Sequence, residues 1–236
     1  MHRDELVAVF DRQAADYDRQ WEGMAPIRDG LYLLVEAAFS VLPDDARILC
    51  VGAGTGVELA HFARRFPAWR FTAVEPSGPM LGVCRQRAER EGFASRCTFH
   101  EGYLESLPAG EGYHAAACFL VSQFILERAA RSAFFRAIAS RLLPGGLLAS
   151  SDLASGAAPA DFEGLLRMWL TAMVGAGVSD ERIEQARAAY GRDVAVLPPP
   201  AVASIIASGG FGSPTQLFQA GLLHAWIARR ASAAGA

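Results

Sequence analysis

The stretch Val51-Gly52-Ala53-Gly54-Thr55-Gly56 decides how this chain is read. It follows a short β-type run, Arg47 to Val51. It precedes a helical pattern in which Leu59, Phe62, Ala63 and Phe66 fall at i, i+3, i+4 and i+7, until Pro67 stops it. A strand, a glycine turn and a helix in that order bring free backbone N–H groups and the positive end of a helix dipole to one point. The missing Cβ atoms let a ligand approach the main chain there. The spacing then selects among ligands. A dinucleotide fingerprint asks for G-x-G-x-x-G, but the sixth position from Gly52 is Val57, so the turn reads G-x-G-x-G and suits a ligand without a pyrophosphate.

Working outward, further β-type runs lie at Arg70 to Glu75, Cys97 to Glu101, Tyr113 to Leu120 and Leu147 to Asp152. Helical patterns separate them. Ser77 is an N-cap and Pro79 a first-turn residue for a helix whose face is Met80, Val83, Cys84, Arg87 and Ala88; Arg128 to Leu142 forms another, closed by Leu143-Pro144-Gly145-Gly146. The alternation predicts an α/β domain with a mostly parallel sheet and helices on both faces. After Asp152 it breaks into helices at 161–174, 180–190 and 200–208, and Thr215 to Arg230 reads as two closing strands turning near Ala220-Gly221. Two helices, Asp4 to Asp18 and Ile27 to Val41, precede the first strand. Residues 1–236 are thus expected to form a single domain, with an N-terminal helical segment over 1–41, a helical insertion over 158–208, and a frayed tail from Ala231 to Ala236.

Composition narrows the function. With 52% hydrophobic residues and a net charge of −3, the 236-residue chain buries one core and is not a disordered segment. All 22 basic residues are arginine and are scattered among 25 acids, so no basic stripe waits for nucleic acid. Residues 194–228 carry no charged side chain, yet Pro198, Pro199, Pro200, Gly209, Gly210, Gly212 and Pro214 interrupt the roughly 20 apolar residues a membrane span needs. The charged stretch from Arg3 to Asp18 holds no signal-peptide core, so a cytoplasmic location is expected. Cys50, Cys84, Cys97 and Cys118 form no C-x-x-C pair and the five histidines no H-x-x-x-H pair, which predicts buried thiols and no metal site.

Glu75 lies 19 residues past Gly56 at the end of the second strand. There a carboxylate can accept both hydroxyls of a ribose, or simply be solvated. At this point the sequence resembles the class I S-adenosylmethionine (SAM) dependent methyltransferases of small-molecule type. Ile48-Leu49-Cys50-Val51-Gly52-Ala53-Gly54-Thr55-Gly56 is similar to their first motif, Val74-Glu75-Pro76-Ser77 with Met80-Leu81 to their second, and Leu142-Leu143-Pro144-Gly145-Gly146 to the turn before their fifth strand.

The resemblance implies a Rossmann-like, seven-stranded sheet with an antiparallel last strand and SAM across the carboxyl ends of the first strands. Gly52, Ala53 and Gly54 would border the methionine part, Glu75 would hold the ribose, and Pro76 and Met80 would lie against the adenine. Gly102-Tyr103-Leu104 stands where the family often has an acid for the adenine amino group, which leaves stacking or a backbone contact; Cys50 replaces an Asp common in the first motif. Phe119 and Leu120 would approach the transferable methyl. Phe10-Asp11 and Tyr17-Asp18 resemble pairs that open many such enzymes, where the segment folds over SAM; the same residues also read as an amphipathic helix packing Leu6, Val9 and Phe10 on the domain.

The catalytic half is less legible. Methyl transfer from a sulfonium needs an in-line acceptor and a dry, well-positioned site, and a base only if the acceptor must lose a proton. Gln123 stands where many relatives have His and can hold an acceptor or bond backbone; His224, in the last strand, reads as a base or as a packed sheet-face histidine. Met168, Trp169, Met173 and Val174 favour a small, partly apolar acceptor, or core packing. Three other functions stay open: a carboxy-SAM synthase or other non-methylating SAM enzyme, a non-catalytic SAM-binding partner subunit, and an NAD-dependent oxidoreductase. Pro26-Ile27-Arg28, in place of the synthases' Pro-Gly-Tyr, argues against the first, and Val57 against the last.

Overall fold

The computed structural model describes residues 3–175 and 178–231; most of the expected tail, 232–236, lies outside the described residues. Seven strands among them form one sheet: β1 (Arg47–Val51), β2 (Arg70–Glu75), β3 (Cys97–Glu101), β4 (Tyr113–Phe119), β5 (Leu142–Leu153), β6 (Thr215–Ala220) and β7 (Leu223–Arg229). Their order is β3-β2-β1-β4-β5-β7-β6, with the first five parallel and β7 antiparallel to both of its neighbours. The sheet and its antiparallel last strand are as the sequence predicts. The order in which strands are added to the sheet reverses between the parallel neighbours β1 and β4, so the connections leaving their carboxyl ends diverge and open a crevice at the switch point, where ligands of open α/β sheets bind.

Side-chain alternation along each strand feeds two cores. Ile48 and Cys50 of β1, Ala115 and Ala117 of β4, and Leu223 and Ala225 of β7 face one core. It is covered by α3 (Ala25–Phe39), α4 (Val57–Arg65), α5 (Gly78–Arg90) and α7 (Pro159–Val174). Leu49 and Val51, Ala116 and Cys118, and Trp226 and Ala228 face the other, under α6 (Arg128–Arg141) and α9 (Pro199–Ser208). The remaining described helices are α1 (Arg3–Gln13), α2 (Tyr17–Gln20) and α8 (Asp180–Arg192). Among the described residues no helix is long and apolar enough to cross a membrane.

Two expectations are corrected. The N-terminal helix expected over Asp4 to Asp18 ends at Gln13 and restarts at Tyr17, and the next begins at Ala25 with Pro26 in its first turn. No glycine or proline makes the first break; tertiary contacts do, since Asp11 and Asp18 each bond a different loop of the sheet. The fifth strand starts at Leu142 rather than Leu147. Leu142 already pairs with Tyr113, and the register shifts before Ala115 meets Leu147, with Gly145 taking φ +73° in the bulge. Arg229 donates to the Gly145 carbonyl at 3.0 Å, and Arg230 to that of Leu142, so the expected turn is held as a bulged strand entry.

Candidate active site

The glycine turn leaves β1 at the crevice, and each glycine answers a different demand. A Cβ on Gly52 (φ +71°) would come within 2.3 Å of Val121 Cγ2, and one on Gly56 (φ +76°) within 2.5 Å of Cys84 Sγ. Those two sites are closed by the protein itself. At Gly54 (φ +52°) a Cβ would meet nothing within 4 Å, because Gly54 borders a cavity of about 570 Å³. The last residue of β2 faces it: Glu75 Oε2 accepts the Gly54 N–H and Oε1 the Ser77 N–H, each at 2.9 Å. Each carboxylate oxygen keeps a further lone pair for a ligand hydroxyl. Burial pushes the Glu75 carboxyl up, and the two amides pull it back toward the ionised form.

The structure brings the predicted cofactor residues together. Tyr17, Gly52, Ala53, Gly54, Glu75, Pro76 and Met80 line this cavity, as do Gly102, Tyr103, Leu104, Phe119 and Leu120. Leu120 has φ +58°, alone among described non-glycine residues in the left-handed region, and its N–H donates to the Ser151 carbonyl at 2.8 Å. Such strain is held only where the surroundings fix it, here at the mouth of the crevice. Over Tyr103 the Arg3 guanidinium stacks at 4.5 Å from the ring centre while pairing with Glu105 at 2.9 Å.

Gln123 and His224 do not line the cavity. The Gln123 side chain accepts the Leu153 N–H at 2.7 Å, tying the loop after β4 to the end of β5. Buried His224 has Nδ1 at 3.1 Å from the Leu222 carbonyl and lies stacked by Trp226, 6.1 Å between ring centres. Desolvation lowers its pKa, only partly opposed by that carbonyl, so the ring is held neutral. Behind the same loop, Arg131 and Asp152 form a fully buried pair at 3.0 Å, to which Ser122 adds hydrogen bonds.

The cavity's other half is aromatic and apolar. Trp21, Met24, Leu31, Tyr32, Phe124 and Trp169 line it, the first four from the N-terminal segment and Trp169 from α7. Phe10 meets Tyr17 at 6.3 Å and Phe124 at 5.7 Å, edge to face. Tyr17 and Tyr32 are pushed above the ordinary tyrosine range, by burial first and by nearby carboxylates second, and stay protonated. Two bonds fasten the N-terminal segment: Thr55 Oγ1 donates to Asp18 Oδ1 and Ser77 Oγ to Asp11 Oδ1, both at 2.6 Å. Arg87 pairs with Asp18 and donates to the Thr55 carbonyl at 2.9 Å.

Sequence reading passed over Glu58, which also lines the cavity. An acid in the first turn of a helix is common because it complements the dipole, so its position carried no signal. Among the described residues no cluster of His, Cys, Asp or Glu could hold a metal ion. Cys50, Cys84 and Cys118 are buried free thiols and Cys97 is half-buried; burial raises the pKa of each.

Fold and cavity together define a Rossmann-like protein whose glycine turn and strand-end acid fit an adenosine-type cofactor without a pyrophosphate. The family model described as a methyltransferase domain matches residues 48–146. An uncharacterized protein of Synechococcus sp. is 35% identical over 103 residues, which is 43% of this chain and 24% of that relative, so the chain spans about a quarter of its length. A SAM-dependent methyltransferase from Geobacter sulfurreducens, in complex with S-adenosyl-L-homocysteine, aligns over 78% of this chain and 64% of its own at 21% identity, TM-score 0.53. An O-methyltransferase family 2 protein from Planctomyces limnophilus, in complex with apigenin, aligns over 98% of this chain and 62% of its own at 14% identity, TM-score 0.64. Residues 48–146 match a methyltransferase domain, the fold is that of the class I SAM-dependent methyltransferases, and SAM is the cofactor of that family.

Proposed function

We propose that this chain transfers a methyl group from SAM to a small acceptor with an apolar, aromatic-compatible body. One observation carries the reading: a single cavity is lined both by the polar, glycine-walled Gly54 and Glu75 and by the aromatic Trp21, Tyr32, Phe124 and Trp169, with Phe119 and Leu120 also in its wall. SAM supplies a methyl on a positively charged sulfur, a leaving group that needs no further activation. Glu75 offers its free lone pairs to the ribose, Pro76 and Met80 wall the base, and Tyr103 stacks at its edge. The aromatic half takes the acceptor by apolar burial and displaces water, which lets positioning supply most of the rate.

In this reading residues 1–41 act as a lid and the helices within 158–208 as a cap, since Trp21, Tyr32 and Trp169 close the acceptor half. The planar flavone in the Planctomyces limnophilus neighbour agrees with a flat aromatic acceptor. No base is assigned: Tyr17 and Tyr32 are held protonated, and Gln123 and His224 stand outside the cavity lining. The test is methyl release from isotopically labelled SAM against a panel of phenols, aromatic acids and aliphatic amines. Turnover with planar phenols or aromatic acids is expected. Turnover confined to charged aliphatic amines would overturn the acceptor class, and tight SAM binding with no turnover on any panel would favour a non-catalytic SAM-binding role.

A further inference from the structure

Five carboxylates line the cavity, at Asp18, Glu58, Glu75, Glu105 and Glu127. Four are committed within the protein. Asp18 holds Thr55 and Arg87, Glu75 holds the Gly54 and Ser77 amides, Glu105 pairs with Arg3, and Glu127 caps α6 through the Ala129 and Ala130 amides. Glu58 makes no hydrogen bond or ion pair with another described residue, although it is half-buried and closed in by Tyr17 and Tyr32. Its own backbone N–H donates to it, and the rest of its acceptor capacity stays unfilled until a ligand supplies a donor or a cation.

Its place along the crevice says which part of a ligand arrives there. Strand order is β3-β2-β1-β4, with the base-side walls Tyr103 and Met80 beside β3 and β2, and Glu75 at the end of β2. Glu58 is in the first turn of α4, directly after β1 and its glycine turn, and β1 lies on the side of β2 away from β3. A cofactor whose nucleoside end is fixed at Tyr103 and Glu75 therefore sends its amino-acid end across the glycine turn toward Glu58. Resting on the SAM reading above, we propose that Glu58 is the counter-ion of the α-ammonium group at the amino-acid end of the cofactor.

The proposal has a protonic consequence. Burial pushes the Glu58 carboxyl up to about 8, so near neutral pH the free protein carries it protonated. The groups that interact with it are Tyr17 and Asp18 of α2, Tyr32 of α3, Glu75 of β2, Cys50 of β1, Cys118 of β4, and Cys84 and Arg87 of α5. Of these, Arg87 favours the charged form, while Asp18 and Glu75 oppose it. Docking of an ammonium beside Glu58 favours its ionised form, and the proton leaves to solvent. Affinity for the cofactor should then rise by nearly tenfold per pH unit between pH 6 and 7, with close to one proton released per binding event.

The experiment is titration calorimetry of the whole chain and of Glu58→Gln with two ligands, in buffers of different ionisation enthalpy. S-adenosylhomocysteine carries the ammonium; 5′-methylthioadenosine keeps the base, ribose and sulfur and lacks it. Glu58→Gln should weaken S-adenosylhomocysteine by about tenfold to a hundredfold and leave methylthioadenosine within about twofold, the effect of losing one charged hydrogen bond. The unmodified chain should release a proton with the first ligand at pH 7 and none with the second. Equal weakening of both ligands, or unchanged affinity and no proton release, would overturn the assignment. The proton count on the unmodified chain decides the matter even if the variant folds poorly. Failure of the unmodified chain to bind either ligand overturns the SAM site itself, and is distinguished by that double negative.

Discussion

The Thr55 hydroxyl donates to the Asp18 carboxylate at 2.6 Å, and this bond joins the N-terminal helices to the glycine turn that borders the cavity. Thr55 is buried in the glycine turn, and Asp18 also pairs with Arg87, whose Nε holds the Thr55 carbonyl. The N-terminal helices and the glycine turn therefore share one polar network, so ordering one orders the other. With the Asp18 side chain 42% exposed, its ion pair is worth little, and the hydrogen bond to buried Thr55 is the larger contribution.

Ligand should accordingly protect the lid. S-adenosylhomocysteine is expected to slow tryptic cleavage at Arg12, Arg19 and Arg28, and Asp18→Asn to speed it and to weaken the ligand by about threefold to tenfold. Equal cleavage rates with and without saturating ligand would show that residues 3–39 are a fixed part of the fold.

Glu75→Ala should weaken S-adenosylhomocysteine by about 1.5–3 kcal/mol, the range for a hydrogen bond to a charged group. It should also lower the melting temperature of the ligand-free protein, because the Gly54 and Ser77 amides lose their acceptor. Calorimetry reads the first effect and a thermal melt the second; wild-type affinity would remove Glu75 from the site.

The glycines should separate fold from function. Gly52→Ala drives a methyl into Val121 and should unfold or strongly destabilise the chain. Gly54→Ala costs about 1–2 kcal/mol of left-handed backbone strain and puts its methyl into the open cavity. A native circular dichroism spectrum with lost ligand binding is expected for that variant, and retained binding would make the turn structural only.

Arg131→Ala should cost about 3–5 kcal/mol in urea unfolding, since it strands Asp152 as an uncompensated buried charge. Burial alone raises the Asp152 carboxyl, and Arg131 opposes that rise. A loss under about 1 kcal/mol would mean that water or another group replaces the guanidinium.

Ligand-free stability should depend on pH through Glu58. Its folded-state value of about 8 lies above the unfolded-chain value of about 4.3. Its contribution is thus fully present below the lower value and is lost as pH rises through the upper, at up to about 1.4 kcal/mol per unit. Glu58→Gln cannot ionise, so it should match the unmodified chain only below the unfolded-chain value, at about pH 3.5, and be the more stable protein at about pH 8.5. Parallel stability–pH curves would show that Glu58 is solvated.

Much of the frame was legible because it rests on local rules. The bounds of β1, β2 and β3 follow from short β-type runs ended by turns, and Ser77 caps α5 by accepting the Met80 N–H at 3.3 Å, as its side-chain chemistry predicts. The β5 entry escaped because Leu142–Gly146 carries every mark of a turn, and only pairing with Tyr113 and anchoring by Arg229 and Arg230 make it strand. The break at Ala14–Asp16 escaped for the same kind of reason: nothing local forbids a helix there.

The sequence by itself determined the strand–turn–helix that borders the cavity and the acid at the end of β2, since each is set by residues adjacent in the chain. Only the tertiary structure decided that Asp18 reaches Thr55, that Gln123 and His224 are occupied in packing, that Trp21, Tyr32 and Trp169 line one cavity, and that Glu58 borders it with no hydrogen bond to another described residue. Those relations join residues far apart in the chain. They depend on which side chains the packed sheet and helices leave facing a common space, and periodicity places a residue on a face without saying what stands opposite.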